Sequence, residues 1–221
     1  MINLKNSKKG RSLQVKVILL IVIMSISFFG CKSKKEQGYN SSENKSKSEE
    51  SSYTNNTESK SWDKYDTKFN SGMYKVGSDI PEGEYIVFAE EEDEDGYFAI
   101  LSSSEGQFSN IIANDNFSYN SIINIKPGTY LELVDAVAVP ISEVTDLDTS
   151  GEGMFKVGLH IQPGEYKLIA ETEESGYYEV TSNSSHKFNS IVSNANFKNS
   201  AYVTVRDGQY LTLVDCKIDK K

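Results

Sequence analysis

The chain contains an internal repeat, and this constrains its fold more than any other property. GMYKVGSDIPEGEY, from Gly72 to Tyr85, returns as GMFKVGLHIQPGEY, from Gly153 to Tyr166. The two copies stay 81 residues apart as far as Glu90 and Glu171. One residue is then lost in an acidic loop and the offset becomes 80, which pairs Gly96-Tyr97 with Gly176-Tyr177 and Tyr130 through Asp135 with Tyr210 through Asp215. With that single gap, 28 of the 67 positions from Gly72 to Ala138 are identical, too many for chance. A repeated segment of this length is one structural unit used twice. Two modules are therefore expected, 71–140 and 153–219, joined by a linker at 141–152.

Each copy helps to read the other. In Tyr85-Ile86-Val87-Phe88-Ala89, one face is Tyr85, Val87 and Ala89, and the second copy keeps it apolar as Tyr166, Leu168 and Ala170. The opposite face admits Lys167 and is expected to be wetter. This period of two marks a half-buried strand. Phe98 and Ile100 match Tyr178 and Val180, Ile123 and Ile125 match Val203 and Val205, and Leu131 and Leu133 match Leu211 and Leu213. Pro81-Glu82-Gly83, Pro163-Gly164, Pro127-Gly128 and Asp207-Gly208 are turn sequences between these runs. Apart from a single turn expected around Ile111 to Asn116, no stretch after Cys31 has the 3.6-residue period of a helix. The expected fold is all-β: two tandem small β-sandwich or barrel-like modules of five or six strands each, preceded by a disordered linker.

The N-terminus reads as an address. Lys5, Lys8, Lys9, Arg11 and Lys16 precede an apolar run from Val17 to Phe29, and Gly30-Cys31 follows. A basic region, a short apolar stretch and a small residue before the cut form a signal-peptide pattern, here 1–30. Thirteen apolar-run residues are too few to span a bilayer comfortably. Cys31 after Gly30 resembles a bacterial lipobox, although Phe28 stands where Leu is usual, so Cys31 is the expected lipidation site. An uncleaved signal anchor with an incidental cysteine is the alternative. Residues 32–61 hold nine Ser, six Lys, five Glu and four Asn, and no Val, Ile, Leu, Phe or Met. Such a segment cannot bury enough apolar surface to order itself. The region 31–70 is thus expected to be a tether, reaching roughly 35 Å as a flexible coil. The implied location is extracytoplasmic, lipid-anchored to the cell membrane.

From Cys31 onward the chain has 18 basic and 32 acidic residues, a net charge of −14. That balance repels nucleic acid and argues against it as a partner. The acidity peaks at Glu90-Glu91-Glu92-Asp93-Glu94-Asp95. Glu91, Asp93 and Asp95 are candidates for a cation, but the run lacks alternating ligand spacing, and a solvated hairpin tip explains it more simply. No cofactor is implied. Cys216 matches Ala136 and reads as a small, partly buried filler. His160 and His186 match Asp79 and Gly106, so neither position needs an imidazole in the first copy. No nucleophile elbow, zinc helix, phosphate loop or Cys-x-x-Cys pair is present. The carboxylate pairs Glu84/Glu165 and Asp135/Asp215 are the only basis for a wall-active hydrolase, and the reading is non-enzymatic.

Tyr97, Tyr177, Asn114, Asn116, Asn194 and Asn196 recur in both copies and are the candidate binding residues. An aromatic ring can stack on a sugar or peptide while an amide donates and accepts. The simpler reading is that Tyr suits strands and Asn suits turns. Tyr97 and Tyr177 are the candidates expected to be most exposed, and Asn-x-Asn-Phe is expected between strands.

The string Lys-Val-Gly-x-x-Ile-Pro-x-Gly-Glu-Tyr, then Gly-Tyr-Tyr-x-Val, then Val-x-Asp-Gly-Gln-Tyr-Leu, resembles a repeat of uncharacterised lipoproteins and surface proteins of low-GC Gram-positive bacteria. The resemblance implies a recurrent extracellular β domain and brings no activity, substrate or catalytic residue. The expected function is binding or spacing at the cell envelope, with the membrane engaged through the lipid and an envelope glycan or protein as partner. A cation- or ligand-sensing accessory lipoprotein is the alternative to that reading and to the hydrolase.

Overall fold

The computed structural model describes residues 60, 62–91, 94–172 and 175–220. The signal segment, Cys31, the tether up to residue 59 and Asp93 lie outside them. The described residues are all-β, in two halves of one topology, with 3-10 turns as their only helical elements.

The first module contains β1 (Gly72–Lys75), β2 (Gly83–Ala89), β3 (Gly96–Leu101), β4 (Ile111–Phe117), β5 (Asn120–Ile125), β6 (Tyr130–Val134) and β7 (Ala136–Pro140). They form two antiparallel sheets in the orders β1-β6-β3-β4 and β5-β2-β7. The second module repeats this with β8 (Gly153–Lys156), β9 (Gly164–Ala170), β10 (Gly176–Thr181), β11 (Ile191–Phe197), β12 (Ser200–Val205), β13 (Tyr210–Val214) and β14 (Cys216–Ile218). Its sheets are β11-β10-β13-β8 and β12-β9-β14. Even the irregularities recur, since β3 and β10 shift register at Ile100/Leu101 and Val180/Thr181 against their edge strands.

Seven strands per module replace the five or six expected, because the segments at Asn-x-Asn-Phe are themselves strands, β4 and β11. The helical turn expected at Ile111 to Asn116 lies just before it, as a 3-10 turn at Phe108–Asn110. Asn is a turn former on average, but here its backbone pairs with a neighbour while the side chain points to water, and strand pairing wins over propensity.

Inside each module the alternating residues meet between the two sheets. Tyr85, Val87, Phe98, Ile100, Ile123, Leu131 and Leu133 belong to the first core. Leu168, Val180, Val203, Leu211, Leu213 and Cys216 belong to the second. Cys216 and its counterpart Ala136 are both fully buried rather than partly so. Asp135 and Asp215 take positive φ of 49° and 53° at the β6–β7 and β13–β14 turns. Their carbonyls accept from the amides of Glu90 and Glu171 at 2.9 Å. Their recurrence thus has a backbone reason, Asp being one of the few side chains tolerated there.

A third core lies between the modules. Ile86, Phe88, Ile122, Val137 and Val139, on the outer face of β5-β2-β7, pack with Met154 and Tyr210 of the second module. The face expected to be wetter is dry in the first module: Ile86, Ile122, Val137 and Val139 are all 0 % exposed. β2 is covered on both sides, which is why its apolar run is continuous where β9 carries Lys167. The expected tether also yields its end to the fold. Tyr65 is buried in this third core and stacks on Phe88, and Phe69 bridges Ala138. Within the linker, Val144 is likewise fully buried.

Polar contacts fix the register of the two modules. The Asn120 side-chain amide donates to the Met154 carbonyl at 2.8 Å. Glu84, at the start of β2, accepts from the Lys156 ammonium at 2.5 Å, from the Ser184 hydroxyl at 2.7 Å and from the Tyr210 hydroxyl. Burial pushes the Glu84 carboxyl up, but these three donors outweigh it and hold it below the ordinary glutamate value. His186 closes the side of the first module. Its Nε2–H donates to the Ile122 carbonyl at 2.9 Å, on the free edge of β5, and its ring stands edge-on to Phe98.

A duplicated stripe as candidate functional site

β4 and β11 are the outer strands of the two four-stranded sheets. Along each, alternate residues point away from the core: Ile112, Asn114 and Asn116 on β4, and Val192, Asn194 and Asn196 on β11. All four asparagines are exposed. Ile112 and Val192 are exposed large apolar residues, at 40 % and 52 %. Just upstream, the 3-10 turns hold Phe108 and Phe188 in solvent at 93 % and 91 % exposure. Across the strand pair, Tyr97 stands opposite Asn116 and Tyr177 opposite Asn196. Each module thus carries an exposed Phe in the turn before the edge strand and, along that strand, a stripe of an aliphatic residue and two amides with a Tyr opposite the last.

The candidate tyrosines are half-buried, less open than expected. In the second module the Tyr177 hydroxyl donates to Glu179 at 2.8 Å and accepts from the Asn194 amide at 3.1 Å. Burial first, and then the bond to Glu179, push Tyr177 up to about 12, against the opposing bond from Asn194. Its phenol stays protonated as a fixed donor. The counterpart of Glu179 is Ala99. Near the far end of the second stripe, Ser175, Asn196, Phe197 and Lys198 line a shallow depression.

The phenylalanines are the residues sequence reasoning overlooked. A signal existed: Phe108 and Phe188 are identical at the offset of 80, in turns where no strand alternation calls for an aromatic. An exposed ring offers a stacking surface, and the amides on the strand that follows offer paired donors and acceptors.

The other candidates separate from this surface. Glu91 is exposed and ion-paired with Lys60, and Asp95 accepts from the Ser118 hydroxyl at 2.9 Å. Among the described residues no group of three His, Cys, Asp or Glu side chains could hold a metal ion. Glu84 meets Lys156, Tyr210 and Ser184 rather than a second acid, while Glu165 is exposed. Burial pushes the Cys216 thiol up to about 12, and it donates to the Tyr177 carbonyl. Among the described residues no helix is long and apolar enough to cross a membrane.

The chain matches no curated protein and no solved structure. A family model does match it, and matches it twice, over residues 66–131 and 148–216, one segment in each module. The chain belongs to the Rv1352-like extracellular domain family.

Proposed function

We propose that this chain is a surface lipoprotein, held at the membrane by acyl chains on Cys31, whose two non-enzymatic modules bind an envelope glycan or surface protein through their stripes. Family membership makes the modules extracellular domains; the basic leader, the apolar run and Gly30-Cys31 support the anchor. The observation that carries the binding role is a contrast in drift between the copies. Where burial no longer applies, the copies have diverged, as Ile86 to Lys167 and Val137 to Lys217. Yet Phe108/Phe188, Asn114/Asn194, Asn116/Asn196 and Tyr97/Tyr177 are identical although the Phe and Asn residues need no burial to fold. Two weak sites on one tethered chain gain avidity when both engage a repeating ligand.

The test is retention of envelope glycans and surface proteins by the chain from residue 31, compared with a Phe108→Ser/Phe188→Ser variant. Retention by the parent, reduced in each single variant and lost in the double, is the expected result. Equal retention by parent and double variant removes the stripe from the function. For the anchor, Cys31→Ser should release the protein from the membrane fraction into the medium.

A further inference from the structure

The contact between the modules joins unlike faces. Met154, Lys156 and Tyr210, on β8 and β13, seat on the outer face of β5-β2-β7, where Glu84 receives Lys156 and Tyr210. A heterologous contact leaves each module with one unused counterpart. The first module carries the same seating residues, Met73, Lys75 and Tyr130, in the same register: Lys75 pairs with Tyr130 as Lys156 pairs with Tyr210. Here Lys75 is exposed, Met73 is 41 % exposed and Tyr130 is half-buried. The second module keeps the receiving acid as Glu165, exposed at the start of β9. These four residue types are thus retained on surfaces whose packing within the chain does not require them.

We propose that a second copy of this chain docks head to tail, the Met73-Lys75-Tyr130 face of one molecule on the β12-β9-β14 sheet of the next, with Lys75 on Glu165. The counterparts of the two faces meet inside the molecule, and the Lys75–Glu165 pair repeats the Lys156–Glu84 contact made there. The receiving sheet is more polar than its counterpart, but its lysines are occupied: Lys167 pairs with Asp219 at 3.3 Å and Lys217 with Glu171 at 2.7 Å. Ile169 and Tyr202, the latter 64 % exposed, remain as the apolar contact. The association is therefore weaker than the internal one. Since unlike faces meet, each docked copy leaves a face for the next, and association runs past a two-fold dimer into chains or rings.

Sedimentation of the chain from residue 31 carrying Cys31→Ser tests this. Average mass should rise past the dimer across about two decades of protein concentration. Lys75→Glu and Glu165→Lys should each weaken association about tenfold or more, and the doubly reversed variant should recover it. Both residues are exposed, so unchanged melting curves will show that folding is intact. A monomer at every concentration overturns the proposal. So does a dimer that Lys75→Glu disrupts and Glu165→Lys does not, since that is a symmetric contact through the first module alone.

Discussion

The β5-β2-β7 sheet and the β12-β9-β14 sheet share topology and register, yet one is covered on both faces and the other on one. The first presents Ile86, Ile122, Val137 and Val139 to the neighbouring module, and the second presents Lys167, Tyr202, Lys217 and Asp219 in the same places. Each fully buried aliphatic side chain contributes about 1.5–3 kcal/mol over its exposed state, so the apolar set makes the interface. The polar set keeps the outer face of the second module soluble and makes any contact there weaker than the internal one. After duplication, the inner faces stayed under one constraint while the outer faces came under two. Exchanging residues between the copies should break this comparison most sharply. Val137→Lys puts the second module's residue into the dry interface and should cost about 4 kcal/mol or more, read by chemical denaturation. Lys217→Val, the reverse exchange, should leave the melting temperature unchanged. Similar losses in both would mean that the interface does not exist as described.

The two glutamates extend the contrast. Glu84→Ala leaves the Lys156 ammonium, its side chain 30 % exposed, facing a site that was built around an anion. It should destabilise by about 2–3 kcal/mol. Glu165→Ala, at the equivalent position, should leave monomer stability as it is. Glycines give a steric version of the same test. Gly72 and Gly153 both take positive φ, at 155° and 131°, so a side chain meets an unfavourable backbone at either position. Only at Gly153 would a Cβ overlap the Asn120 side chain that holds Met154. Gly153→Ala should therefore cost about 1–2 kcal/mol more than Gly72→Ala.

The cores were readable because the inner faces obey one rule in both copies: Val87 and Leu168, or Leu131 and Leu211, are apolar wherever they recur. The module interface was hidden for the opposite reason. Lys167 is a truthful report of the second module and a misleading one for Ile86, since a pairwise contact between repeats breaks the equivalence on which the reading depends. The stripe was half legible. Identity between copies marked Tyr97, Asn114 and Asn116, but Phe108 lies in a turn, where alternation says nothing about exposure. His186 could not be found by comparison at all, because Gly106 occupies its place in the first copy and the ring acts on the other module.

His160 and Asp79 offer the subtlest contrast, one task done by two chemistries. The Asp79 carboxylate accepts from the Lys75 amide at 2.8 Å, and His160 Nδ1 accepts from the Lys156 amide at 3.1 Å. The imidazole does more, since its Nε2–H donates to the Val144 carbonyl at 3.1 Å and ties the linker down. With Nδ1 an acceptor and Nε2 a donor, the ring must be neutral. Burial lowers its pKa first, and the Lys156 ammonium adds to this, while the Val144 carbonyl and Glu84 work against both. A folded value below the ordinary 6.5 means that the unfolded chain binds the proton more readily. Stability is then complete above pH 6.5 and declines as pH falls through the folded value. This decline is confined to the window between 6.5 and the folded value. It should also lie at higher pH than the loss from protonating Glu84, which begins only below the ordinary glutamate value of 4.5. His160→Asn supplies an acceptor for the Lys156 amide that does not titrate, so its melting temperature should stay flat over the upper window while the Glu84-dependent loss persists. An unaltered pH profile in that variant would place the acid sensitivity elsewhere and reduce His160 to the role Asp79 already fills.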